Sequence, residues 1–376
     1  MEPALDELVK REAKHLTEKK PHTTHKILYI CHYVEEWLRV VCNAENNDLN
    51  FIDCMANAGV YADGDLCTAV EVLRIFAETA KQFPDKTFNV LFNDYNSNSV
   101  RISKEVCKII VGTLPLNVHI YFEQLDVNIY LNTLKEKYNI FGFPSKTILY
   151  VDPYDFRTVQ LPILRNFLQN TYCELIYNFF TSDAIRNGID SGIAKALGGQ
   201  YSFKNTDELT NFVINMLTVG FMKYHLSYTF RNSRNVELYQ ILFLTPHSKG
   251  LDKLKQSIWD TFKGQEHYKT DVSHAGQLSL FSPQDDREYW AKAHAIEAMN
   301  LLKSKYSGKI VKYTEIEQLI LPQSLLMSSQ LINYLIKPNI AAGNIFKQNK
   351  VKMKSNYKDD YYLRLCHNKW LIFDEK

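Results

Sequence analysis

Three acidic residues at the ends of apolar runs are the residues of this sequence best placed to do chemistry. Asp53 ends the first run and is followed by the small residues Ala56 and Gly59. Asp94 follows the second run, and Asp152 ends a later one. In an open α/β sheet, ligands bind in the crevice beyond the carboxyl ends of the strands. We therefore expect one shared site, with a nucleotide-like ligand near Asp53 and the substrate near Asp152.

The first turn and the acids that follow it suggest how a nucleoside cofactor would be held. Small residues such as Ala56 and Gly59 let a ligand approach the backbone closely. Asp94 suits the two hydroxyl groups of a ribose, and Asp126 could accept a hydrogen bond from an adenine amine. Simpler interpretations stay open, because both acids are good helix caps and the turn could be an ordinary strand-to-helix connection.

The residues after Asp152 indicate the substrate side of the site. Pro153 fixes the backbone there, and Tyr154 and Phe156 would lie at the sheet edge. A flat base could stack on such aromatic side chains for roughly 1–3 kcal/mol. An acid, a proline and an aromatic residue beside a methyl donor form an arrangement that holds an exocyclic amine. The alternative is a proline turn whose aromatic side chains pack on the core.

Two further residues are candidates with open alternatives. Arg186 follows a predicted strand after a short gap, and it could pair with a phosphate or carboxylate or form a surface ion pair. His247 follows another predicted strand and could line the cleft, although a lone histidine is more often structural. The sequence contains no P-loop, no G-x-S-x-G and no H-E-x-x-H, which disfavours hydrolases and phosphotransferases.

Alternating strands and helices would position these residues. This alternation is typical of a parallel sheet with helices on both faces, so we expect an α/β, doubly wound, Rossmann-like fold. The expected strands are residues 50–54, 88–93, 118–122, 147–152 and 175–180, with a β-like run at 238–245. The expected helices are residues 26–42, 65–83, 101–111, 130–138, 161–169, 207–221 and 250–262.

The length of 376 residues suits two domains. We expect a doubly wound domain at residues 1–284, in which 1–25 are a polar lead-in or short helix and 265–284 a linker. Residues 285–376 would form a winged helix-turn-helix domain. Its helices are expected at 285–305, 313–321 and 328–337, where Pro338 ends the last one, and its hairpin at 344–354 and 361–365.

The carboxyl-terminal part of the chain is basic. Residues 286–376 hold 15 Lys and Arg against 9 Asp and Glu, although the whole chain carries a net charge of only +2. This asymmetry favours a polyanionic partner, bound with release of counterions. The hairpin lysines that would contact it are Lys347, Lys350, Lys352 and Lys354. A solvated lysine-rich surface explains the same pattern equally well.

Composition sets the broad class and the compartment. Apolar residues make up 45% of the chain, which is enough for a large core. The seven cysteines form no C-x-x-C and no Cys/His spacing suited to zinc, so we expect reduced core cysteines and no metal site. No signal-peptide pattern is present and no apolar run approaches about 18 residues, so we expect a cytoplasmic protein without a membrane segment.

Taken in order, the motifs resemble the bacterial and phage family called three-Cys-motif partner protein, TcmP. The first motif, F-I-D-C-M-A-N-A-G-V-Y, is similar to the family pattern D-x-F-A-G-x-G-x-Y. The matching residues are Asp53, Ala56, Gly59 and Tyr61, whereas Met55 and Asn57 replace the Phe and the first Gly. The change at Asn57 places a Cβ atom where the family has none.

The second motif matches the family pattern D-P-[FY]-G at Asp152, Pro153 and Tyr154. Asp155 replaces the Gly and would add a negative charge at the mouth of the site. The later segments E-L-I-Y-N-F, L-Y-Q-I-L-F-L-T-P-H-S-K-G-L and G-Q-L-S-L-F extend the resemblance over nearly the whole chain. The winged helix also often accompanies this family.

The resemblance implies a methyltransferase-type Rossmann fold with an S-adenosylmethionine pocket. Asp53, Gly59 and Asp94 would hold the cofactor, and Asp152, Pro153 and Tyr154 would face the acceptor. The resemblance also implies a partner with a three-cysteine motif of radical-SAM type, often encoded nearby in phage and mobile defence regions.

Three functions are compatible with these residues. The first is an S-adenosylmethionine-dependent methyltransferase-like protein that acts on nucleic acid or a nucleotide, in phage or anti-phage defence. The second is a catalytically degenerate Rossmann-fold scaffold for a partner enzyme, which the changes at Asn57 and Asp155 favour. The third is a winged-helix regulator whose helix at residues 328–337 enters the major groove of DNA.

Overall fold

The computed structural model describes residues 3–45, 48–138, 145–181, 185, 191–269, 283–307, 309–341, 345–348 and 370–373. Over these residues the chain is mixed α/β and divides into two units. The first unit takes in described residues of 1–257 and 267–275, and the second those of 258–266 and 276–376. Among the helices of these ranges, none is both long and apolar enough to cross a membrane.

One eight-stranded sheet organises the first unit. Its strands are β1 (Asp48–Asp53), β2 (Thr87–Asn93), β3 (Val118–Glu123), β4 (Lys146–Val151), β5 (Glu174–Phe179), β6 (Tyr224–Arg231), β7 (Glu237–Thr245) and β8 (His267–Lys269). They lie in the order β3-β2-β1-β4-β5-β7-β6-β8. Strands β1 to β5 are parallel, and β7 runs antiparallel to both β5 and β6. The order 3-2-1-4-5 is that of doubly wound sheets, so the predicted Rossmann-like α/β arrangement is confirmed.

Helices cover both faces of this sheet. They are α1 (Pro3–Glu12), α2 (Pro21–Val41), α3 (Thr68–Ala80), α4 (Ser97–Val111), α5 (Val127–Lys137), α6 (Leu161–Gln169), α7 (Ser191–Leu197), α8 (Thr206–Leu217) and α9 (Ser248–Phe262). One core joins the sheet to α5–α8, and Leu149 of β4 and Leu164 of α6 belong to it. Successive strand residues point to opposite faces. On the other face, Phe88 of β2 packs edge-on against Phe76 of α3, with ring centroids 5.6 Å apart.

A buried row of polar side chains crosses the middle of the sheet. Asn89 donates to Asn50 Oδ1 at 2.8 Å, and Asn50 donates to Thr147 Oγ1 at 3.0 Å. All three residues are buried. An unpaired buried polar group costs about 1–3 kcal/mol, so this row favours the observed register of β2, β1 and β4.

The amino-terminal region holds the short helix that was one of two expectations for residues 1–25, since α1 spans Pro3–Glu12 and buries Leu5 and Leu8. The next helix differs from the expectation, because α2 begins at Pro21 and not at residue 26. The helix expected from residue 65 begins only at Thr68. A backbone hydrogen bond of 2.9 Å from Cys67 N to the Gly59 carbonyl holds the preceding segment in a turn instead.

Strand β6 was not predicted. Its buried residues Leu226, Tyr228 and Phe230 alternate with half-buried ones, which is the spacing of a strand with one covered face. Because β6 pairs with β7 and β8, it extends the sheet beyond the parallel strands.

The second unit combines three helical segments with a small sheet. Its elements are α10 (Pro283–Tyr306), β9 (Ile310–Lys312), α11 (Tyr313–Ile320), the helical run α12 (residues 328–341), β10 (Ile345–Gln348) and β11 (Trp370–Phe373). The strands form an antiparallel sheet in the order β10-β11-β9. The winged helix stays a prediction, because residues 349–369, including the expected hairpin strand 361–365, lie outside the described residues.

We expected helix α12 to end at Pro338, but it continues to Ala341. It consists of Ser328–Gln330, a wider π-type turn at Leu331–Ile336, and Lys337–Ala341. Proline has no N–H to donate to the carbonyl four residues earlier. Pro338 follows directly after the widened turn, where regular hydrogen bonding is already altered. The helix therefore accommodates the proline instead of ending at it.

Candidate functional site

The strand order creates a crevice beyond the carboxyl ends of β1 and β4. These neighbouring parallel strands connect onward in opposite directions across the sheet, to β2 and β5. Such a switch point is where open α/β sheets bind ligands. A cleft of about 480 Å³ lies there, lined by residues of the loops after β1, β2, β3 and β4 and by His15 and Thr17. This volume is in the range of small-molecule sites.

The turn after β1 uses its backbone N–H groups internally. Four N–H groups donate hydrogen bonds to acceptors within the site's own loops, at these distances: Met55 N to Asp53 Oδ1 3.0 Å, Ala56 N to Asn93 O 2.8 Å, Asn57 N to Asp94 Oδ2 2.9 Å, and Ala58 N to Asn57 Oδ1 2.8 Å. Helix α3 does not begin until Thr68. A phosphate cradle needs free N–H groups, often at a helix N-terminus. Residues 55–58 do not supply them.

Asn57 takes the left-handed backbone conformation that glycine often supplies. Its φ is +57°, and Asn is one of the few other residues that adopt this region readily. Its side chain donates from Nδ2 to Thr17 Oγ1 at 3.0 Å and accepts from Ala58 N at 2.8 Å. Asn57 therefore adopts a backbone conformation that glycine could also adopt, and it forms part of the cleft wall.

Ala56 and Gly59 contribute to the packing of the turn after β1. Ala56 is buried, and Gly59 has a φ of +78°. A Cβ atom on Gly59 would lie 3.2 Å from Val70 Cγ2 and 3.3 Å from Ser103 Cα, so α3 and α4 leave little room for a side chain. Neither residue is among the described residues that line the cleft. Their role here is in packing.

Asp94 and Asp126 are the carboxylates that the structure brings to the cleft wall. Asp94 accepts from Asn57 N at 2.9 Å and from Asn96 N at 2.8 Å. Burial raises the pKa of Asp94, although these hydrogen bonds lower it. Asp126 caps α5 by accepting from Asn128 N at 2.9 Å. Both acids brace the loops, and both keep lone pairs for a ligand hydroxyl or amine.

Asp53 and Tyr61 lie deeper than we expected. Asp53 is only 2% exposed, and burial raises the pKa of its carboxyl well above the usual range. Burial also raises the pKa of Tyr61, which lies near the thiol of Cys67. Neither side chain is among the described lining residues of the cleft. The structure therefore assigns ligand contact to Asp94 and Asp126 more directly than to Asp53.

Three neighbours hold Asp152 just after β4. Lys26 Nζ lies 2.5 Å from Oδ2, Tyr150 OH donates to the same oxygen at 2.8 Å, and Asn178 Nδ2 donates to Oδ1 at 2.6 Å. Burial alone would raise the pKa of Asp152, but the ion pair with Lys26 and the two hydrogen bonds outweigh burial and lower it. Asp152 is thus a fixed anion at neutral pH and a weak general base.

Of the residues after Asp152, Pro153 and Phe156 are buried, whereas Tyr154 is exposed. Pro153 is buried, and Phe156 is 1% exposed with its ring centroid 5.4 Å from that of Phe179. The expectation that Phe156 stacks on a base is therefore wrong, because the apolar core already covers its ring. Tyr154 is 65% exposed and lines the cleft.

Asp155 is not among the described lining residues of the cleft, and one of its carboxylate oxygens is used within its own turn. Its Oδ1 accepts from Thr158 N at 3.0 Å and from Thr158 Oγ1 at 2.7 Å. These bonds close a local turn of the kind that Asp side chains favour. A second exposed aromatic residue, Tyr95, lies in the cleft wall with Tyr154. The two tyrosines offer aromatic faces that the sequence motif alone had assigned to Tyr154 and Phe156.

The sequence interpretation missed the residues of α2 beside Asp152. Lys26 lies 5.8 Å from the ring centroid of Tyr239, and His22 packs edge-on against the same ring at 5.3 Å. Burial, with the charge of Lys26 next in importance, lowers the pKa of His22 to about 4. The available signal was a lysine within the buried stripe of a helix, next to Ile27.

Several predicted contact residues cannot be placed. Arg186, Lys350, Lys352 and Lys354 lie outside the described residues. Lys347 belongs to β10. Their proposed contacts with a phosphate or with nucleic acid stay predictions.

His247 lies at the opposite edge of the sheet. With Glu174 it lines a separate cavity of about 210 Å³, where β4 and β5 begin and β7 ends. Glu174 accepts hydrogen bonds from Tyr33 OH and from Thr245 Oγ1, and burial raises the pKa of its carboxyl to about 8. His247 is therefore not a residue of the cleft near Asp94. Because β7 is antiparallel to β5, the carboxyl end of β7 lies where the parallel strands begin, and His247 follows that end.

Comparison with known proteins gives a limited fold-level likeness. No family model and no curated protein matches the sequence. Protein LPL1258 of Legionella pneumophila, of family DUF519, aligns with a TM-score of 0.36 and 10% identity over 64% of this chain and 92% of its own. A proposed class I S-adenosylmethionine-dependent methyltransferase of Listeria monocytogenes aligns with a TM-score of 0.34 and 11% identity over 77% and 79%. At these values neither structure indicates which ligand this chain binds.

Proposed function

We propose that this chain is a methyltransferase-like protein that binds S-adenosylmethionine in the cleft beside Asp94 and transfers a methyl group to nucleic acid or a nucleotide. The observation that carries the proposal is the cleft itself. It lies at the switch point of a doubly wound sheet, and its described lining includes Asp94, Asp126 and two exposed tyrosines but no Lys or Arg. Beyond β5 the same sheet continues with the antiparallel strand β7.

The electrostatics of the cleft favour a cationic nucleoside over a phosphate-bearing cofactor. Asp94 and Asp126 would repel phosphate, and the N–H groups of residues 55–58 are already used. A sulfonium ion, by contrast, is attracted by nearby carboxylates. A dinucleotide such as NAD would lack the N–H cradle that its pyrophosphate requires. The site therefore suits a nucleoside without phosphate groups.

The residues of the cleft fit the parts of an adenosine moiety. Asp94 accepts hydrogen bonds from Asn57 N, Asn96 N and the Ser99 side chain, and the lone pair that remains can accept a hydrogen bond from a ribose hydroxyl. Tyr95 and Tyr154 expose aromatic faces that can cover a base. When bound, the cofactor would supply an electrophilic methyl group on a positively charged sulfur.

Asp152 would position the acceptor beside the cleft, since its side chain is 21% exposed but is not among the described lining residues. Its anionic form is stabilised by Lys26, Tyr150 and Asn178, so it can accept a hydrogen bond from an exocyclic amine without being protonated itself. Oδ1, which receives one hydrogen bond from Asn178, retains acceptor capacity. The methylated amine would then release its proton to water, because a carboxylate of lowered pKa is a weak base.

The resemblance to the TcmP family is the sole support for two finer proposals. One is a partner protein with a three-cysteine motif of radical-SAM type. The other is a role in phage or anti-phage defence. Contact of nucleic acid with Lys347, Lys350, Lys352 and Lys354 is a separate proposal, which rests on the excess of basic residues in 286–376. Basic residues of this kind would bind a polyanion largely through counterion release.

Calorimetric titration of the purified full chain with S-adenosylmethionine tests the proposal. We expect saturable binding that Asp94→Ala weakens at least tenfold, because a ribose hydroxyl loses its charged acceptor. Asp207→Asn is the matched control for charge, since Asp207 is an exposed acid of α8 that is not among the described lining residues of the cleft. NAD should produce no binding heat. Absence of heat with millimolar S-adenosylmethionine, or tighter binding of NAD, would overturn the proposal.

A catalytically degenerate scaffold is the alternative, and one observation favours it. Each oxygen of Asp152 already has a protein partner within 2.8 Å, as in a structural ion pair. Incubation with radiolabelled S-adenosylmethionine and DNA, RNA or nucleotides distinguishes the two functions. Cofactor binding without label transfer, in the presence of a co-purified partner, supports the scaffold.

A further inference from the structure

We propose that the second unit binds a first-row divalent metal ion, with Zn²⁺ as the best match, through Glu266, His294 and Glu297. One ring nitrogen of His294 and one carboxylate oxygen of each glutamate lie within 4.8 Å of one another. All three residues belong to the second unit. His294 and Glu297 are three residues apart on α10, which places them on one face of the helix.

A hydrogen bond already holds the imidazole of His294 in an orientation suited to metal coordination. It is only 4% exposed, and its Nε2 lies 2.7 Å from the carbonyl oxygen of Gly264. A carbonyl can only accept a hydrogen bond, so Nε2 carries the proton and Nδ1 carries the lone pair. Histidine ligands of metals are oriented in this way by a backbone carbonyl on the other ring nitrogen. The bond to Gly264 therefore fixes both the tautomer and the ring orientation.

The two glutamates have no competing cation. Within the described part of the chain, neither Glu266 nor Glu297 takes part in an ion pair or a side-chain hydrogen bond, and both are exposed. Other acids of α10 behave differently, since Glu288 pairs with Lys292 at 2.6 Å. Two carboxylates this close repel each other unless a cation lies between them. A bound divalent ion would remove that repulsion.

The donor set selects the class of metal. One imidazole nitrogen and two carboxylate oxygens suit Zn²⁺ and its first-row neighbours, whereas Mg²⁺ and Ca²⁺ prefer oxygen ligands alone. Three protein ligands leave at least one coordination position for water. The ion would join the segment of Gly264 and Glu266 to α10, in addition to the hydrogen bond that His294 already makes there.

Titration of the EDTA-treated full chain with ZnCl₂ tests the site, by calorimetry and native mass spectrometry. We expect one ion per chain with a dissociation constant in the micromolar range or below, and a higher melting temperature in its presence. Glu266→Gln and Glu297→Gln should each weaken binding at least tenfold. Both side chains are exposed, so the variants should fold. MgCl₂ at the same concentration should not compete.

The control variant is Glu288→Gln, which lies on the same helix outside the cluster and should bind zinc as the unaltered chain does. Because cysteines can also bind zinc, the double variant Glu266→Gln/Glu297→Gln is decisive. Stoichiometric binding of unchanged affinity in the double variant, or no saturable binding by the unaltered chain up to millimolar zinc, would overturn the proposal.

Discussion

The ammonium group of Lys26 lies 2.5 Å from Oδ2 of Asp152, and this ion pair joins α2 to the end of β4. The side chains are only 9% and 21% exposed. Tyr150 and Asn178 complete the hydrogen bonding of the carboxylate. An ion pair in such surroundings depends on both partners, because removing one leaves a charge that water cannot solvate well.

Lys26→Met should therefore destabilise the first unit strongly. Breaking a buried pair from one side costs about 3–5 kcal/mol, and the loss should appear as a lower urea midpoint with an unchanged slope. The double variant Lys26→Met/Asp152→Asn should recover part of the stability, because no unpaired charge remains. Equal destabilisation by the single and double variants would show that packing, not the ion pair, is responsible.

The same pair predicts how stability changes in acid. The folded-state pKa of Asp152 lies below its ordinary value of 3.8. Its contribution to stability is therefore complete above the unfolded-state pKa and is lost as the pH falls through the folded-state pKa. Asp152→Asn should flatten this part of the acid-unfolding curve. Parallel curves for the variant and the unaltered chain, measured by circular dichroism from pH 5 downward, would contradict the assignment.

Near neutral pH, protonation of Glu174 should make the free energy of unfolding change with pH in the opposite direction. Burial raises the pKa of its carboxyl from 4.5 to about 8 in the folded state, so the folded chain holds a proton that the unfolded chain has lost. The free energy of unfolding should fall as the pH rises between these values, by about 1.4 kcal/mol per pH unit. Glu174→Gln should remove this slope. Urea unfolding at pH 5, 6, 7 and 8 measures it, and an identical slope in the variant would refute the prediction.

Gly59 has a φ of +78°, which glycine adopts freely. A Cβ atom there would lie 3.2 Å from Val70 Cγ2 and 3.3 Å from Ser103 Cα. Gly59→Ala should therefore lose about 1–2 kcal/mol from the backbone conformation and about 1–3 kcal/mol more from overpacking. Thermal unfolding measures the loss, and a loss no larger than the backbone cost would show that α3 and α4 adjust without cost.

Asn57 predicts a difference between two substitutions in the cleft. Asn57→Ala keeps the unfavourable φ and loses the side-chain bonds to Thr17 and Ala58, so about 1–3 kcal/mol of stability should be lost. Asn57→Gly loses the same bonds but accepts the φ freely and should cost less. Thr17→Ala isolates one of the two bonds. If the glycine variant is the less stable of the two in thermal unfolding, the backbone explanation is wrong.

The sequence alone determined the alternation of strands and helices and the positions of the acids. Apolar runs with strand spacing ended at Asp53, Asp94 and Asp152, and parallel pairing then brought their ends to one edge, as expected. These features follow from local periodicity and from the rule that parallel strands share a direction. Strand β6 also carries a local signal, an alternation of buried residues that could have been recognised.

The tertiary structure decided which of those acids can meet a ligand. Burial depth and ion pairing depend on residues distant in sequence, so no local pattern could show that Lys26 fixes Asp152 or that Asp53 lies beneath the turn. For the same reason the sequence did not indicate the cluster of Glu266 and His294, because these residues come from separate segments of the chain. Sequence spacing records neighbours along the chain, whereas charge, solvation and coordination depend on neighbours in space.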